Sequence, residues 1–342
     1  MADLTLAASW YRSSEVFEAE RTGVWGREWL VFSPSARLDA PGRYVADTIA
    51  GWPMAVIVGP EGTLRAFHNV CAHRGGPIVW PGHGAAPNLV CRYHGWAYDW
   101  DGWLKTARDF GGELPPGAYR LPPIRVERWR SLVWINLDAE APSLAEALGS
   151  FSTQCDEFPL EGFEFTHEQE RVLQCNWKTY VDNYLEGYHI PVLHPELNRE
   201  IDVRKYRVEV FEEDGYCLHT APTRGGAANA GRWLFRYPNL ALNVYADGMN
   251  VERILPDGPE RTRVIYQYFF ADPDEPGNEE TVKISGVTLD QDQAICEAVQ
   301  RNLDAGVYEA GPLSPKHEAG VGWFHDRIRS AVGLSPPERG ST

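Results

Sequence analysis

Two short Cys–His pairs constrain this chain more than any other feature of its 342 residues. Cys71-Ala72-His73 is followed, after seventeen residues, by Cys91-Arg92-Tyr93-His94, a C-x-H-x17-C-x2-H pattern. Two thiolates and two imidazoles on paired loops can hold either zinc or a [2Fe–2S] cluster in which His replaces Cys on one iron. Zinc sites usually pair Cys with Cys and His with His, whereas each loop here supplies one of each, and that favours the cluster. The flanks agree. In His73-Arg74-Gly75-Gly76-Pro77 and His94-Gly95-Trp96 the glycines let backbone amides approach the sulfides, where hydrogen bonds raise the potential.

The surrounding texture from residue 42 to 137 is β-like. Apolar runs at 54–58, 64–68, 89–91 and 132–135 are separated by turn signals such as Gly59-Pro60 and Asp101-Gly102. Upstream, residues 16–30 read as an amphipathic helix ending near a strand at 29–33. Downstream, 139–150 reads as a linker running into a helix, with Pro142 and Ser143 at its head. A strand at 163–173 and a helix at 176–188 follow, the helix marked by Trp177, Tyr180, Val181, Tyr184, Leu185 and Tyr188 at i, i+3, i+4 spacing. Strands at 206–211, 240–245 and 262–270, a helix at 289–304 and a short helix at 323–332 complete the pattern. The expectation is an α+β chain: an all-β domain over 27–150, and a second domain of 1–26 with 151–342.

Composition narrows the setting. A formal net charge of −16 argues against nucleic acid and anionic membranes as partners, and is compatible with a cationic substrate as well as with plain solubility. Residues 1–10 lack a basic segment followed by an apolar run, and no stretch reaches the roughly 18 apolar residues of a membrane span. Six irregularly spaced cysteines do not resemble a disulfide framework, so a reducing cytoplasm is expected.

A second constellation lies near the end of the 176–188 helix. His194 follows His189 by five residues, and Pro191 and Pro195 interrupt any continuous helix. Two imidazoles there can converge on one metal, and a distant carboxylate would complete a 2-His-1-carboxylate triad with open positions on Fe(II). Asp290 and Asp292 are the candidate third ligands, with Glu297 further along the same helix.

Taken together, Cys71-x-His73, Cys91-x2-His94, Asn176-Trp177-Lys178, Asp182-Asn183-Tyr184-x-Glu186-x-Tyr188-His189 and His194 resemble the α subunit of Rieske non-haem iron oxygenases. The resemblance spans about residues 29–300. It implies that Cys71 and Cys91 bind one cluster iron, that His73 and His94 bind the other, and that His189, His194 and Asp292 hold the mononuclear iron. Glu186 would be the acidic bridge between the cluster His of one subunit and the iron His of the next. A Glu at that position, where ring hydroxylators commonly carry Asp, is similar to the quaternary-ammonium branch of carnitine and choline monooxygenases and glycine betaine demethylases. Asn183 would lie near the iron.

The resemblance further implies a catalytic domain of curved antiparallel sheet with helices (helix-grip, START-like). The strands after the His motif would supply a pocket from among Trp233, Phe235, Tyr237, Asn243, Tyr245, Tyr266, Tyr268 and Phe269. Arg232, Arg236 and Arg253 are candidates for recognising a substrate carboxylate. Electrons would come from NAD(P)H through a separate flavin and iron–sulfur reductase or a ferredoxin, since the chain has no Gly-rich dinucleotide motif and no plant-type ferredoxin Cys run. A homotrimer and O2-dependent hydroxylation or demethylation of a small quaternary ammonium compound follow. Two alternatives stand beside it: hydroxylation or cis-dihydroxylation of an arene or aromatic acid, and a Rieske electron carrier without oxygenase activity.

Overall fold

The computed structural model describes residues 3–224 and 231–333, and the chain divides into two compact units: Gly26–Leu144, and Met1–Trp25 with Ala145–Thr342. The boundary at 144 differs from the expected 150. Residues 145–150 belong with the larger unit because the Arg236 guanidinium donates to the Ala147 carbonyl at 3.0 Å, and the Ser150 amide and hydroxyl donate to Asp214.

The smaller unit is β-rich. Strands β1 (Leu30–Pro34), β2 (Arg43–Ile49), β3 (Trp52–Val58), β4 (Leu64–His68), β5 (Gly82–Ala85), β9 (Pro123–Trp129) and β10 (Leu132–Asn136) form an antiparallel sheet in the order β1-β10-β9-β4-β3-β2-β5. A smaller sheet joins β6 (Leu89–Val90), β7 (Ala97–Tyr98) and β8 (Leu104–Thr106). Ala55, Ile57, Phe67, Ile78, Leu89 and Leu121 pack with Cys71 and Cys91 in one buried core.

In the larger unit β11 (Glu164–Leu173), β12 (Arg207–Phe211), β13 (Tyr216–Thr220), β14 (Arg232–Arg236), β15 (Leu240–Val244), β16 (Gly248–Pro256) and β17 (Thr262–Phe270) make one antiparallel sheet, ordered β11-β17-β16-β15-β14-β13-β12. Helices α1 (Ser14–Glu20), α2 (Leu144–Leu148), α3 (Trp177–Tyr184), α4 (Ile190–Leu193), α5 (Pro195–Glu200), α6 (Gly277–Asp304) and α7 (Ala319–Val332) complete the chain, with α3 packed on β16 and α6. No described helix is long and apolar enough to cross a membrane.

Four helices differ from expectation, α7 by starting at Ala319, four residues before the expected 323. The first ends at Glu20 and passes into a π-helical turn, Arg21–Trp25. There Gly23 lies so close to α7 that a Cβ would sit 2.2 Å from the Ala331 carbonyl oxygen. Helix α3 stops at Tyr184, because the Glu186 carboxylate accepts the amides of Tyr188 and His189 and turns the chain. Helix α6 starts twelve residues before the expected 289. Its first turns leave Ile284 and Val287 exposed, so the segment shows no one-sided apolar stripe to read.

Helix α3 is anchored on its far side by a buried ion pair. Lys178 Nζ lies 2.5 Å from Glu20 Oε1, both side chains are fully buried, and the Trp177 indole donates to the other Glu20 oxygen at 2.8 Å. Burial draws the Lys178 pKa down, against the pull of Glu20. Removing one partner strands the other charge, so Lys178→Met is expected to lower stability by about 3–5 kcal/mol. The double variant Glu20→Leu/Lys178→Met should recover most of it, as read from thermal unfolding midpoints.

Candidate active site

The Cys-bearing loops of the smaller unit have matching geometry. The Cys71 carbonyl accepts from Gly75 N–H at 3.0 Å, and the Cys91 carbonyl accepts from Gly95 N–H at 3.0 Å. Gly75 and Gly95 hold φ of +70° and +75°, which glycine adopts without penalty. Each loop thus lifts a Cys and a His to one tip. Cys71 and Cys91 are buried, and the His73 and His94 rings lie 4.6 Å apart, with His73 stacked on Trp96.

Burial raises the Cys71 thiol pKa, while the Tyr98 hydroxyl, 3.0 Å from Sγ, and the His73 backbone amide work to lower it. Three observations fit an iron–sulfur group here. His73 Nδ1 is buried without a partner. Gly76 leaves room that a Cβ would fill, 3.0 Å from Cys91 Sγ. The donor set is two thiolates and two imidazoles.

The second constellation forms at the helix break. Glu186 anchors His189 through a 2.6 Å contact to Nδ1. Pro195 bars a helical conformation at His194, which sits between α4 and α5 at φ −120°, ψ 73°. Its ring therefore leaves the helix direction and turns toward α6, where Nδ1 meets Gln291 Oε1 at 2.7 Å and Nε2 meets Asp292 Oδ1 at 3.0 Å.

One ligand atom from each of His189, His194 and Asp292 lies within 4.8 Å of the others. Each imidazole has its Nδ1 held by a side-chain oxygen, which leaves Nε2 for a metal. Asn183 donates to Asp292 Oδ1 at 2.8 Å. Burial opposes protonation of His194, but the hydrogen bond and charge of Asp292, with Gln291 and Glu186 adding to them, lift its pKa. Asp290 instead pairs with Arg171, and Glu297 accepts from Gln174 N–H and Gln293. Gln291 had no signal in the sequence, since one glutamine among several on a polar helix looks like a solvated residue.

These groups open onto a cavity of about 690 Å³. Antiparallel register sets its sheet wall: Glu252 pairs with Tyr266, Asn250 with Tyr268, Asn243 with Asn250, and Trp233 with Asn243, so all project to one face. Trp233, Asn243, Tyr245, Tyr266 and Tyr268 line it, as expected. Phe235, Tyr237 and Phe269 do not. Phe235 and Tyr237 pack on Phe324, and Phe269 faces Phe165 across the sheet.

Nor do the three arginines line it. Arg232 pairs with Glu157, Arg236 holds backbone carbonyls, and Arg253 is buried elsewhere. The sequence reading missed Glu252, which is buried in the cavity wall and accepts from Tyr180 at 2.9 Å and Asn243 at 2.7 Å. The only sequence signal was an acid, beside Arg253, within the apolar run of Gly248–Pro256.

A Rieske [2Fe–2S] domain model matches residues 28–112, and a ring-hydroxylating α-subunit catalytic-domain model matches residues 160–230 and 219–334. Fold and site together define an oxygenase that works with a [2Fe–2S] cluster, a mononuclear iron and O2. The chain belongs to the Rieske ring-hydroxylating oxygenase α-subunit family.

Among its relatives, the chloroplastic choline monooxygenase of Beta vulgaris is 28% identical over 94% of this chain and 76% of its own. The glycine betaine monooxygenase oxygenase subunit of Chromohalobacter salexigens is 27% identical over 98% and 88%. Among solved structures, the quaternary ammonium Rieske monooxygenase CntA with L-carnitine superposes with a TM-score of 0.86 at 25% identity, covering 96% of both chains. Naphthalene 1,2-dioxygenase from Rhodococcus sp. shares the fold at TM-score 0.77 and 19% identity, over 97% of this chain and 95% of its own.

Burial pushes the Glu252 carboxyl up to about 7, despite hydrogen bonds from Asn243, Tyr180 and Tyr266 that favour the anion. An unfolded glutamate titrates near 4.3, so ionisation of Glu252 costs stability as pH rises from about 4.3 to about 7, on the order of 3 kcal/mol once complete. Glu252→Gln in the substrate-free protein is therefore expected to gain thermal stability relative to the parent between pH 5 and pH 8. Calorimetric midpoints at the two pH values measure this, and an equal difference at both would contradict it.

Proposed function

We propose that this chain is the oxygenase component of a monooxygenase acting on a small quaternary ammonium compound. The observation that carries this reading is that the convergent His189, His194 and Asp292 open onto a cavity walled by Trp233, Tyr245, Tyr266 and Tyr268. Aromatic faces attract a permethylated ammonium, at roughly 0.5–2 kcal/mol per well-placed ring. The relatives named for choline, glycine betaine and L-carnitine support it.

His189, His194 and Asp292 would hold the iron, and Cys71, His73, Cys91 and His94 the cluster. When bound, these groups supply electron transfer and O2 activation. One atom of O2 enters the substrate and the other leaves as water, with electrons from NAD(P)H through a separate reductase. Hydroxylation beside nitrogen then leads to demethylation or C–N cleavage.

The protein's own contributions are positional. Glu186 fixes the His189 ring and, in a homotrimer, would offer its free edge to a cluster His of the neighbouring subunit. Gln291 orients His194, and Asn183 steadies Asp292. Tyr184 donates to Asn243 at 2.7 Å and stiffens the wall between helix and sheet. A cytoplasmic location fits the six free cysteines.

Two measurements test this. Oxygen uptake with a reductase should be supported by choline, glycine betaine or carnitine, and turnover of benzoate-type acids alone would overturn it. Separately, Asp292→Ala should contain about two irons per chain instead of about three, with the cluster's EPR signal retained. Unchanged iron content would remove Asp292 from the ligand set.

A further inference from the structure

The charge of the cavity wall carries the substrate assignment one step further. Of the described residues that line the cavity, none is Lys or Arg, whereas Glu186, Glu196, Glu200, Asp247, Glu252 and Asp292 are acidic. Glu186 and Asp292 are committed to the histidine site. Glu196, Glu200 and Asp247 are exposed. Glu252 alone is a buried carboxylate facing the space between the rings, only 3% exposed.

Its two oxygens are already engaged. Oε2 accepts from Tyr180, and Oε1 accepts from Asn243. A primary or secondary ammonium entering here would need an acceptor for every N–H group, and with Tyr180, Asn243 and Tyr266 already donating to it the Glu252 carboxylate has too few acceptor positions left to meet them all. A permethylated ammonium has no N–H to satisfy. It needs only negative potential and aromatic faces, which this wall supplies.

The same wall is hostile to a carboxylate. An anion brought beside Glu252 with no Lys or Arg to meet it would be desolvated next to like charge. Two residues along the strand, Asn250 lines the same cavity, and its amide Nδ2 is buried without a hydrogen-bond partner. A neutral hydroxyl oxygen matches that donor.

We infer that the substrate is a quaternary ammonium alcohol carrying net positive charge, not a betaine-type zwitterion, and that Glu252 is the specificity-determining counter-charge with Asn250 receiving the hydroxyl. This rests on the quaternary ammonium reading above and selects within it. The raised pKa of the empty cavity agrees, because a bound cation replaces the missing compensation and favours the ionised carboxylate. The exposed acids at the mouth add an attractive field for a cation.

The test compares choline, its uncharged isostere with carbon in place of nitrogen, glycine betaine, L-carnitine and benzoate in oxygen uptake with the iron-loaded protein and a reductase. Choline should have the highest kcat/KM, and the isostere should bind at least about 30-fold more weakly, as expected when a buried charge loses its partner. Higher kcat/KM for glycine betaine or carnitine than for choline would overturn the inference while leaving the quaternary ammonium function standing. Turnover of benzoate alone would overturn both.

Glu252→Gln keeps the side-chain shape. It should raise KM for choline roughly 30-fold with little change for the isostere, so that the two become alike. A purely structural Glu252 would weaken both ligands equally, and that result would also overturn the inference. Choline-to-isostere discrimination in the unaltered protein needs no variant, so the inference stays exposed even if Glu252→Gln does not fold.

Discussion

The buried contact between Lys178 and Glu20 holds helix α3, the helix that sends side chains into the cavity and ends just before His189. On one side α3 is tied to the N-terminal segment and α7, through Lys178 and through Asp182, which accepts from Tyr11 at 2.6 Å and lies 2.9 Å from His325. On the other side Tyr180, Asn183 and Tyr184 reach the cavity, touching Glu252, Asp292 and Asn243 in turn. A helix of only two turns has little stability of its own. Its position comes from this cross-bracing, and the proposed metal site inherits the precision of the bracing.

The break after α3 is the second organising element. A helix that ran on past Tyr184 would carry His189 and His194 around its axis and separate them. Glu186 ends it by taking two amides that the helix would otherwise use, and Pro195 keeps His194 out of the next one. The rings consequently face each other at 5.0 Å, nearly perpendicular. The residue that shapes the turn thus also fixes the orientation of the His189 imidazole, so backbone geometry and ring geometry are one device.

Much of this was legible in the sequence because it depends on local rules. Paired Cys and His with flanking glycines, the prolines around His194, and the short β runs of the smaller unit each carry their reason within a few residues. The Leu64–His68 and Thr262–Phe270 strands were read with their observed ends. What stayed hidden depends on distant partners. Gln291 matters only because the chain brings α6 beside His194, and Glu252 matters only because seven strands align it with Tyr266 and Asn243. The three arginines looked suited to carboxylate recognition until the sheet register turned them away from the cavity. The early start of α6 escaped notice for a related reason: its first turns carry apolar residues on the exposed side.

Glu252 is where helix α3 and strands β15 and β17 meet through Tyr180, Asn243 and Tyr266. Its carboxylate is thus a keystone as well as a wall. Replacing it with an apolar residue would take the shared acceptor from donors on three separate elements. Retuning this pocket toward an anionic compound, by selection or by engineering, therefore calls for a coordinated set of exchanges, because each single step passes through a protein that has lost those hydrogen bonds. A pocket wired in this way is slow to change its allegiance.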